Sequence, residues 1–215
     1  MNTHIPKLQR WLALDIDETL SGTVWYMVKD MQKLFWNPEN LSAPKIVEKY
    51  RYAQKVPYWQ SEKITNWIEK KICSNAMQTK LPVIPWAKAF VAKIHKIIPI
   101  AAYITVRPLK VLEGTKKRLK DNGFPSAPII MKPDAIPREQ WNTRKAEVLQ
   151  TLYPQIQGII DDNDGLLKEL KKNYMWTVFV YDHDKLTKGH TYKNAFACKT
   201  WKDVYQKVKE VCFKK

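Results

Sequence analysis

Residues 11 to 19 read Trp-Leu-Ala-Leu-Asp-Ile-Asp-Glu-Thr. The first four residues form a short apolar run, which predicts a buried strand, and Asp15 and Asp17 follow it directly. Two carboxylates this close together at the end of a buried strand repel each other, and burying them is costly unless a cation neutralises them. The stretch therefore predicts a strand that leads into a cation site.

The rest of the chain shows two patterns. From residue 24 to residue 80, apolar residues recur at helical spacing and no convincing strand is present. From residue 81 onward, helices alternate with apolar strands, which we predict at 100–104, 129–131, 157–160 and 177–181. This alternation predicts an α/β fold with a three-layer, Rossmann-like parallel sheet. We predict that residues 1–23 and 81–215 form this core domain and that residues 24–80 form a small, all-helical insertion.

A second acidic pair follows another predicted strand. Asp161 and Asp162 come directly after the strand that ends at Ile160. Because the carboxyl ends of parallel strands meet at one edge of a sheet, we expect this pair to lie near Asp15 and Asp17. Carboxylate oxygens are the ligands that Mg²⁺ prefers. Either pair alone is also explained by the preference of aspartate for loops and helix caps.

Two further residues are candidates for contact with a phosphoryl group. Thr105 follows the second predicted strand, just before a predicted helix, where a hydroxyl and free backbone N–H groups can bind a phosphoryl oxygen. Lys145 lies in the first turn of a later predicted helix, where a cation opposes the helix dipole unless a negative group lies nearby. Arg144 and Lys132 are competing cations for that role.

The order of these residues resembles the four motifs of the haloacid dehalogenase (HAD) superfamily, and of its phosphatases in particular. The matching residues are Asp-Ile-Asp-Glu-Thr at 15–19, Thr105 in Ile-Thr-Val-Arg-Pro, Lys145, and Ile-Ile-Asp-Asp at 159–162. They occur in the family's order and in the expected strand context. The resemblance implies that residues 24–80 are a helical cap, inserted just after the first motif.

The resemblance also implies catalytic and substrate-binding roles. Asp15 would be the nucleophile that forms an aspartyl-phosphate, and Asp17 would protonate the leaving oxygen and then activate water. Thr105 and Lys145 would complete the catalytic set by holding the phosphoryl group and neutralising its charge. We assign substrate binding to Thr105, Arg107 and Lys145.

A metal site follows from the same resemblance. Mg²⁺ would be held by the Asp15 carboxylate, the Asp17 backbone carbonyl and Asp161, with Asp162 binding the ion or orienting its waters. Asp164, two residues further on, is an alternative to Asp162.

The composition excludes several classes of protein. The chain has 215 residues, of which 45% are hydrophobic, and its three cysteines form no CxxC pair. These features disfavour disorder, a disulfide framework and a cysteine-based zinc site. Residues 1–10 lack the apolar core of a signal peptide and no segment is apolar enough to span a membrane, so we predict a cytoplasmic protein without a membrane partner.

Together, these features predict a Mg²⁺-dependent phosphomonoester hydrolase acting on a small phosphorylated metabolite, such as a nucleotide or sugar phosphate. A nucleic-acid end phosphatase is an alternative, because the formal net charge of +16 suits a polyanion. A non-catalytic phosphate-binding or interaction protein is a third. The predicted cap would select the leaving group, and its candidate contacts are Trp25, Lys29, Arg51, Tyr52 and Trp59.

Overall fold

The computed structural model of the chain describes residues 11–137, 140–171, 175–187 and 192–213. The predicted polar stretch at residues 1–10 lies outside this set. The strands are β1 (Trp11–Leu14), β2 (Ile100–Pro108), β3 (Ile129–Lys132), β4 (Ile156–Asp161), β5 (Thr177–Tyr181) and β6 (Ala195–Cys198). The helices are α1 (Thr23–Leu34), α2 (Ala43–Tyr50), α3 (Glu62–Ile72), α4 (Asn75–Lys80), α5 (Ala87–His95), α6 (Leu112–Asp121), α7 (Trp141–Leu152), α8 (Leu166–Glu169) and α9 (Trp201–Phe213).

The six strands form one sheet in the order β3-β2-β1-β4-β5-β6, and every neighbouring pair is parallel. Successive side chains of a strand face opposite sides, so each strand contributes to two cores. In β1, Leu12 and Leu14 pack in a cluster with α5 and α9, whereas Ala13 packs in a cluster with α7 and α8. The predicted three-layer α/β fold with a parallel sheet is confirmed.

Two strand predictions needed correction. β2 continues to Pro108 rather than ending at Ile104, because residues 105–108 still follow the sheet and Pro108 aligns with Lys132 of β3. β6 was not predicted at all. It has only four residues, and three of them are half-buried at the edge of the sheet, so it shows neither a long apolar run nor a clear alternation.

Residues 23–80 contain helices and no named strand, as their periodicity predicts. Their apolar faces form a third cluster, centred on Met31, Ile46, Trp59 and Ile68, apart from the two clusters of the sheet. Trp59 was a candidate substrate contact, but only 1% of it is exposed, so its ring packs inside the helical cluster instead. The division into a core of residues 1–23 and 81–215 and a cap of residues 24–80 stays a prediction.

Helix α4 lies directly against the core helix α6. The backbone N–H of Gly114 donates a hydrogen bond to Asn75 Oδ1 at 2.6 Å, and Asn75 Nδ2 donates to the carbonyl of Lys110 at 3.0 Å. A Cβ atom on Gly114 would lie 2.4 Å from the Asn75 carbonyl oxygen. The absence of a side chain at Gly114 therefore permits this close approach.

We expect Gly114→Ala to destabilise the fold. Because the Cβ would meet backbone rather than a flexible side chain, the helices must move apart, at a cost of about 1–3 kcal/mol and a fall in Tm of about 2–12 °C. Gly22→Ala is the matched control, because its nearest side-chain contact would be an ordinary 3.5 Å. Thermal unfolding checks the prediction, and equal melting temperatures for the two variants would contradict it.

Within the described ranges, none of the helices combines the length and apolar composition that a membrane span requires.

Candidate active site

The predicted acidic residues meet at one edge of the sheet. Asp15 follows β1, with its N–H donating to the Ile160 carbonyl at 2.9 Å, and Asp161 ends β4. Asp15, Asp161 and Asp162 are all buried, and one carboxylate oxygen from each lies within 4.8 Å of the others. We call these three residues the acidic triad. Its ligand atoms lie close enough together that the triad could hold a metal ion.

Lys145 of α7 contacts this triad. Its Nζ donates to Asp15 Oδ1 and to Asp161 Oδ2, both at 2.7 Å, and the side chain is buried. Burial opposes the ammonium charge, but the two carboxylates outweigh it and raise the pKa of Lys145 above its usual value. Lys132, the competing cation, instead donates to the carbonyls of Pro133 and Ile136 at 3.1 and 3.0 Å. The structure therefore brings Lys145, and not Lys132, to the acids.

The triad carries more negative charge than Lys145 balances. Burial raises the pKa of the Asp15 carboxyl to about 7, against the opposing effect of Lys145, and the charge of Asp161 acts in the same direction as burial. The pKa of Asp162 is also raised, chiefly by burial and then by Asp15 and Asp161. Ionising Asp15 and Asp162 together is therefore unfavourable with one lysine present. A divalent cation would remove that penalty, so an oxygen-only donor set of this charge fits one.

Asp162, rather than Asp164, completes the triad. The Asp164 carboxylate turns away and accepts hydrogen bonds from the backbone N–H of Thr187, at 3.2 Å, and from its hydroxyl. Asp162 is contacted by Arg51, whose Nη2 lies 3.4 Å from Oδ2 and donates to the backbone carbonyl at 3.0 Å. His183 Nε2 lies 2.9 Å from the same carbonyl. Arg51 thus joins residues 23–80, which we call the helical segment, to the loop after β4.

Asp17 is held apart from the triad by a different set of contacts. Arg107 Nε and Nη2 donate to its two oxygens at 2.9 and 2.8 Å, and the Thr23 hydroxyl donates to Oδ1. Burial acts to raise the pKa of Asp17, but the charge and hydrogen bonds of Arg107 outweigh it and hold the pKa below its ordinary value. A quarter of the Asp17 side chain is exposed. Asp17 is therefore an ionised carboxylate in this arrangement.

Arg107 and Thr105 lie close to the site but have other partners. The remaining nitrogen of Arg107, Nη1, donates to the Thr115 hydroxyl at 3.2 Å, so its guanidinium is largely engaged by protein groups. Thr105 lies inside β2 rather than at a strand end, and its Oγ1 accepts from the backbone N–H of Arg107 at 3.3 Å. It lines a small cavity of about 10 Å³ that it shares with Lys145. Substrate binding by Thr105 and Arg107 stays a prediction.

Sequence reasoning gave Glu18 no role. This residue has a positive φ of 54°, and its Oε1 accepts a hydrogen bond from the backbone N–H of Val24, in the first turn of α1, at 2.7 Å. Burial raises the pKa of its carboxyl to about 7. Glu18 thus supports the turn that carries the chain from Asp17 into α1. The sequence feature that could have indicated this role is the position of Glu18 directly after Asp17 and ahead of the turn residues Ser21-Gly22-Thr23.

A cavity of about 400 Å³ opens above the triad, and we call it the site cavity. Its floor is formed by the acidic residues and Lys145, and its walls come from both the sheet edge and the helical segment. The lining residues are Asp15, Asp17, Glu18, Thr23, Val24, Met27, Tyr52, Gln54, Lys55, Ile72, Gln78, Val106, Arg107, Pro108, Trp141, Asn142, Lys145, Asp161, Asp162 and Asn163. Of the contacts predicted in residues 24–80, Tyr52 lines the cavity.

No protein-family model and no curated protein matches the sequence. Solved structures do match. A dehalogenase in an intermediate complex is 10% identical, with a TM-score of 0.57, 92% of this chain covered and 96% of that chain. A HAD-superfamily hydrolase from Ehrlichia chaffeensis is 16% identical, with a TM-score of 0.53 and coverages of 94% and 96%. A putative β-phosphoglucomutase from Bacteroides vulgatus is 12% identical, with a TM-score of 0.50 and coverages of 98% and 92%.

These likenesses extend over nearly the whole of each chain, although sequence identity is low. They agree with the six-stranded parallel sheet of this chain. The chain therefore has the fold of the HAD-superfamily hydrolases.

Proposed function

We propose that the protein is a Mg²⁺-dependent phosphomonoester hydrolase that acts through an aspartyl-phosphate on a small phosphorylated metabolite. The observation that carries the proposal is the contact of Lys145 Nζ with both Asp15 and Asp161 at 2.7 Å, beside Asp162. A buried lysine between two carboxylates positions a nucleophilic carboxylate and supplies positive charge where a dianionic phosphoryl group would bind.

The chemistry of the proposed reaction needs two steps. In the first, Asp17 turns away from Arg107 and takes up a proton; an Asp15 oxygen then attacks phosphorus, the bond to the leaving oxygen breaks, and Asp17 gives that oxygen its proton. In the second, Asp17 takes a proton from water, the water oxygen attacks phosphorus, and the Asp15 carboxylate is released together with orthophosphate. Lys145 neutralises charge in both steps.

The acidic triad and the Asp17 backbone carbonyl would hold the Mg²⁺. The all-oxygen donor set and the excess negative charge of Asp15, Asp161 and Asp162 support this assignment. When bound, the ion supplies electrostatic stabilisation for the phosphoryl oxygens.

Asp17 supports a phosphatase rather than a dehalogenase. A halide leaves without a proton, whereas an alkoxide leaving group needs one. An acid two residues after the nucleophile is therefore useful to a phosphatase and not to a dehalogenase. The lowered pKa of Asp17 beside Arg107 means that it must turn away from Arg107 before it can carry a proton to a substrate oxygen.

We expect Asp17→Asn to slow hydrolysis of alkyl phosphates by a factor of about 10²–10⁴, because proton transfer to a poor leaving group is lost. Aryl phosphates, which leave readily as anions, should lose much less. The amide oxygen of asparagine can still accept from Arg107 and Thr23, so the fold should persist. Steady-state kinetics on both substrates checks this, and equal losses would contradict the role of Asp17 as an acid.

The position of the site cavity supports a small substrate over a nucleic-acid end. Side chains of the helical segment, including Met27, Tyr52 and Gln78, form part of its wall, which limits the space for a polymer. The net charge of +16 favours the alternative, a nucleic-acid end phosphatase. Steep salt dependence of oligonucleotide binding would support that alternative.

Hydrolysis of p-nitrophenyl phosphate, with Mg²⁺ and with EDTA, tests the proposed function. We expect turnover with Mg²⁺ and its loss with EDTA, together with no release of halide from 2-chloropropionate. Halide release without phosphatase activity would overturn the proposal. Absence of both activities in a folded protein would favour the non-catalytic alternative.

A further inference from the structure

The cationic side chains that line the site cavity differ in what they contact. Lys145 is engaged by two carboxylates of the acidic triad, and Arg107 donates from two of its nitrogens to Asp17. Lys55 also lines the cavity, but within the described ranges no carboxylate lies at ion-pair distance from its ammonium group. The charge of Lys55 is therefore available to a bound molecule.

The position of Lys55 is set by the turn that follows α2. Lys55 ends a short 3₁₀ helix, Ala53–Lys55, whose first residue is buried in the helical cluster. Its Nζ lies 5.3 Å from the centre of the Tyr52 ring, which also lines the cavity. An aromatic face attracts an ammonium group, so this contact favours a position of the charge at the cavity wall, although the lysine is exposed.

Tyr52 links Lys55 to the acidic triad. The Cζ atom of Arg51 lies 5.8 Å from the centre of the same ring, and Arg51 Nη2 lies 3.4 Å from Asp162 Oδ2. Lys55 thus lies one aromatic ring away from a residue that contacts the triad. Because Asp15 and Lys55 line a single cavity of about 400 Å³, one small molecule can reach both.

The distribution of charge in the cavity determines how a ligand with two anionic groups would be oriented. The acidic side chains that line the cavity are Asp15, Asp17, Glu18, Asp161 and Asp162. They repel a second anionic group that lies near them, whereas the ammonium group of Lys55 in the wall attracts it. A neutral hydroxyl gains less from the same ammonium group, because contacts between two ionised groups are the stronger ones.

We propose that Lys55 binds a second anionic group of the substrate, a carboxylate or a phosphate on the leaving group, so that the protein prefers phosphomonoesters with a charged leaving group over those with a neutral one. The inference rests on the proposed function, in that this second group belongs to the leaving group of the same reaction. Lys55 contacts that group and not the reacting atoms, so it determines specificity.

The test measures binding to Asp15→Asn protein, which does not consume its ligand, by calorimetry in Mg²⁺. 3-Phosphoglycerate carries a carboxylate where glycerol 3-phosphate carries a neutral hydroxymethyl group. We expect the first to bind about 3- to 30-fold more tightly, as for one charged contact at a partly exposed site. Fructose 1,6-bisphosphate and fructose 6-phosphate form a second pair, which tests for a phosphate in the same way. A preference confined to one pair identifies the second group as carboxylate or phosphate.

Adding Lys55→Met should reduce the preference to less than about twofold, because the ammonium group is lost while most of the side-chain length is kept. A preference that persists would place the second anionic group elsewhere, for example on the metal ion, and would overturn the inference. The preference in the presence of Lys55 is measured without this substitution, so it stays informative if Lys55→Met fails to fold.

Lys93→Met is the matched control. Lys93 is also exposed, and its Nζ lies 4.9 Å from the centre of the Phe90 ring, but it is not among the residues that line the cavity. The substitution removes the same charge from the protein. We therefore expect it to change the affinity for either member of a pair by less than about twofold, as for a distant site.

Equal or weaker binding of the charged ligand in both pairs would overturn the inference, and so would equal effects of Lys55→Met and Lys93→Met. Hydrolysis of p-nitrophenyl phosphate by the wild-type protein reports separately on the proposed function. If the aryl phosphate is hydrolysed while neither pair shows a preference, only the specificity assignment fails. If the charged ligands are preferred through Lys55 while no phosphate ester is hydrolysed, only the catalytic proposal fails.

Discussion

Asp15→Asn should abolish phosphatase activity, lowering kcat by a factor of about 10⁴ or more, because an amide cannot act as the nucleophile. Asp15 is the acidic residue that both follows β1 directly and accepts a hydrogen bond from Lys145 at 2.7 Å, so its carboxylate is fixed in position. The measurement is steady-state hydrolysis of p-nitrophenyl phosphate in saturating Mg²⁺.

The same substitution should leave the fold intact. Burial raises the pKa of Asp15, which means that its charge is unfavourable in the native state, and Lys145 keeps its second partner, Asp161. We therefore expect a melting temperature equal to or above that of the wild type. Near-normal activity in a folded variant would show that Asp15 is not the nucleophile.

The second large effect is expected from Lys145→Met, which should reduce both stability and turnover. It leaves the buried carboxylates of Asp15 and Asp161 without a cation, a change that typically costs about 3–5 kcal/mol. Turnover should fall because the phosphoryl charge is no longer neutralised. Urea unfolding with and without Mg²⁺ checks the first part, and the loss of stability should be smaller with Mg²⁺ present.

Lys132→Met is the matched control for that experiment. Lys132 is equally buried, but its ammonium group contacts two backbone carbonyls rather than carboxylates. Its removal therefore leaves no unpaired buried charge, so we expect a smaller loss of stability and near-normal turnover. If Lys132→Met and Lys145→Met were equally inactive and equally destabilised, the assignment of Lys145 to the active site would be wrong.

The fold and the acidic triad could be predicted because their signals are local. The apolar run Trp11–Leu14 ends at Asp15, the β4 run ends at Asp161, and parallel strands must bring such ends to one edge. The predicted position of Lys145 in a first helical turn indicated nearby negative charge. Helix α7 begins at Trp141, so Lys145 lies one turn further in, but the structure does place it between two carboxylates.

Other parts of the site depend on contacts that no local pattern encodes. Substrate binding by Arg107 stays a prediction, but its contact with Asp17 had no local signal, because it depends on residues 105–108 continuing β2. Edge strand β6 was missed because it is short and half-buried.

The central claim is that Asp15 becomes phosphorylated during turnover. Rapid acid quenching of the wild-type protein during hydrolysis of a ³²P-labelled phosphomonoester, followed by peptide mapping, tests it most directly. We predict acid-stable label on the peptide that contains Asp15, released by hydroxylamine, and no label in the Asp15→Asn protein. Full turnover with no labelled peptide at any quench time, or label on a different residue, would contradict the account.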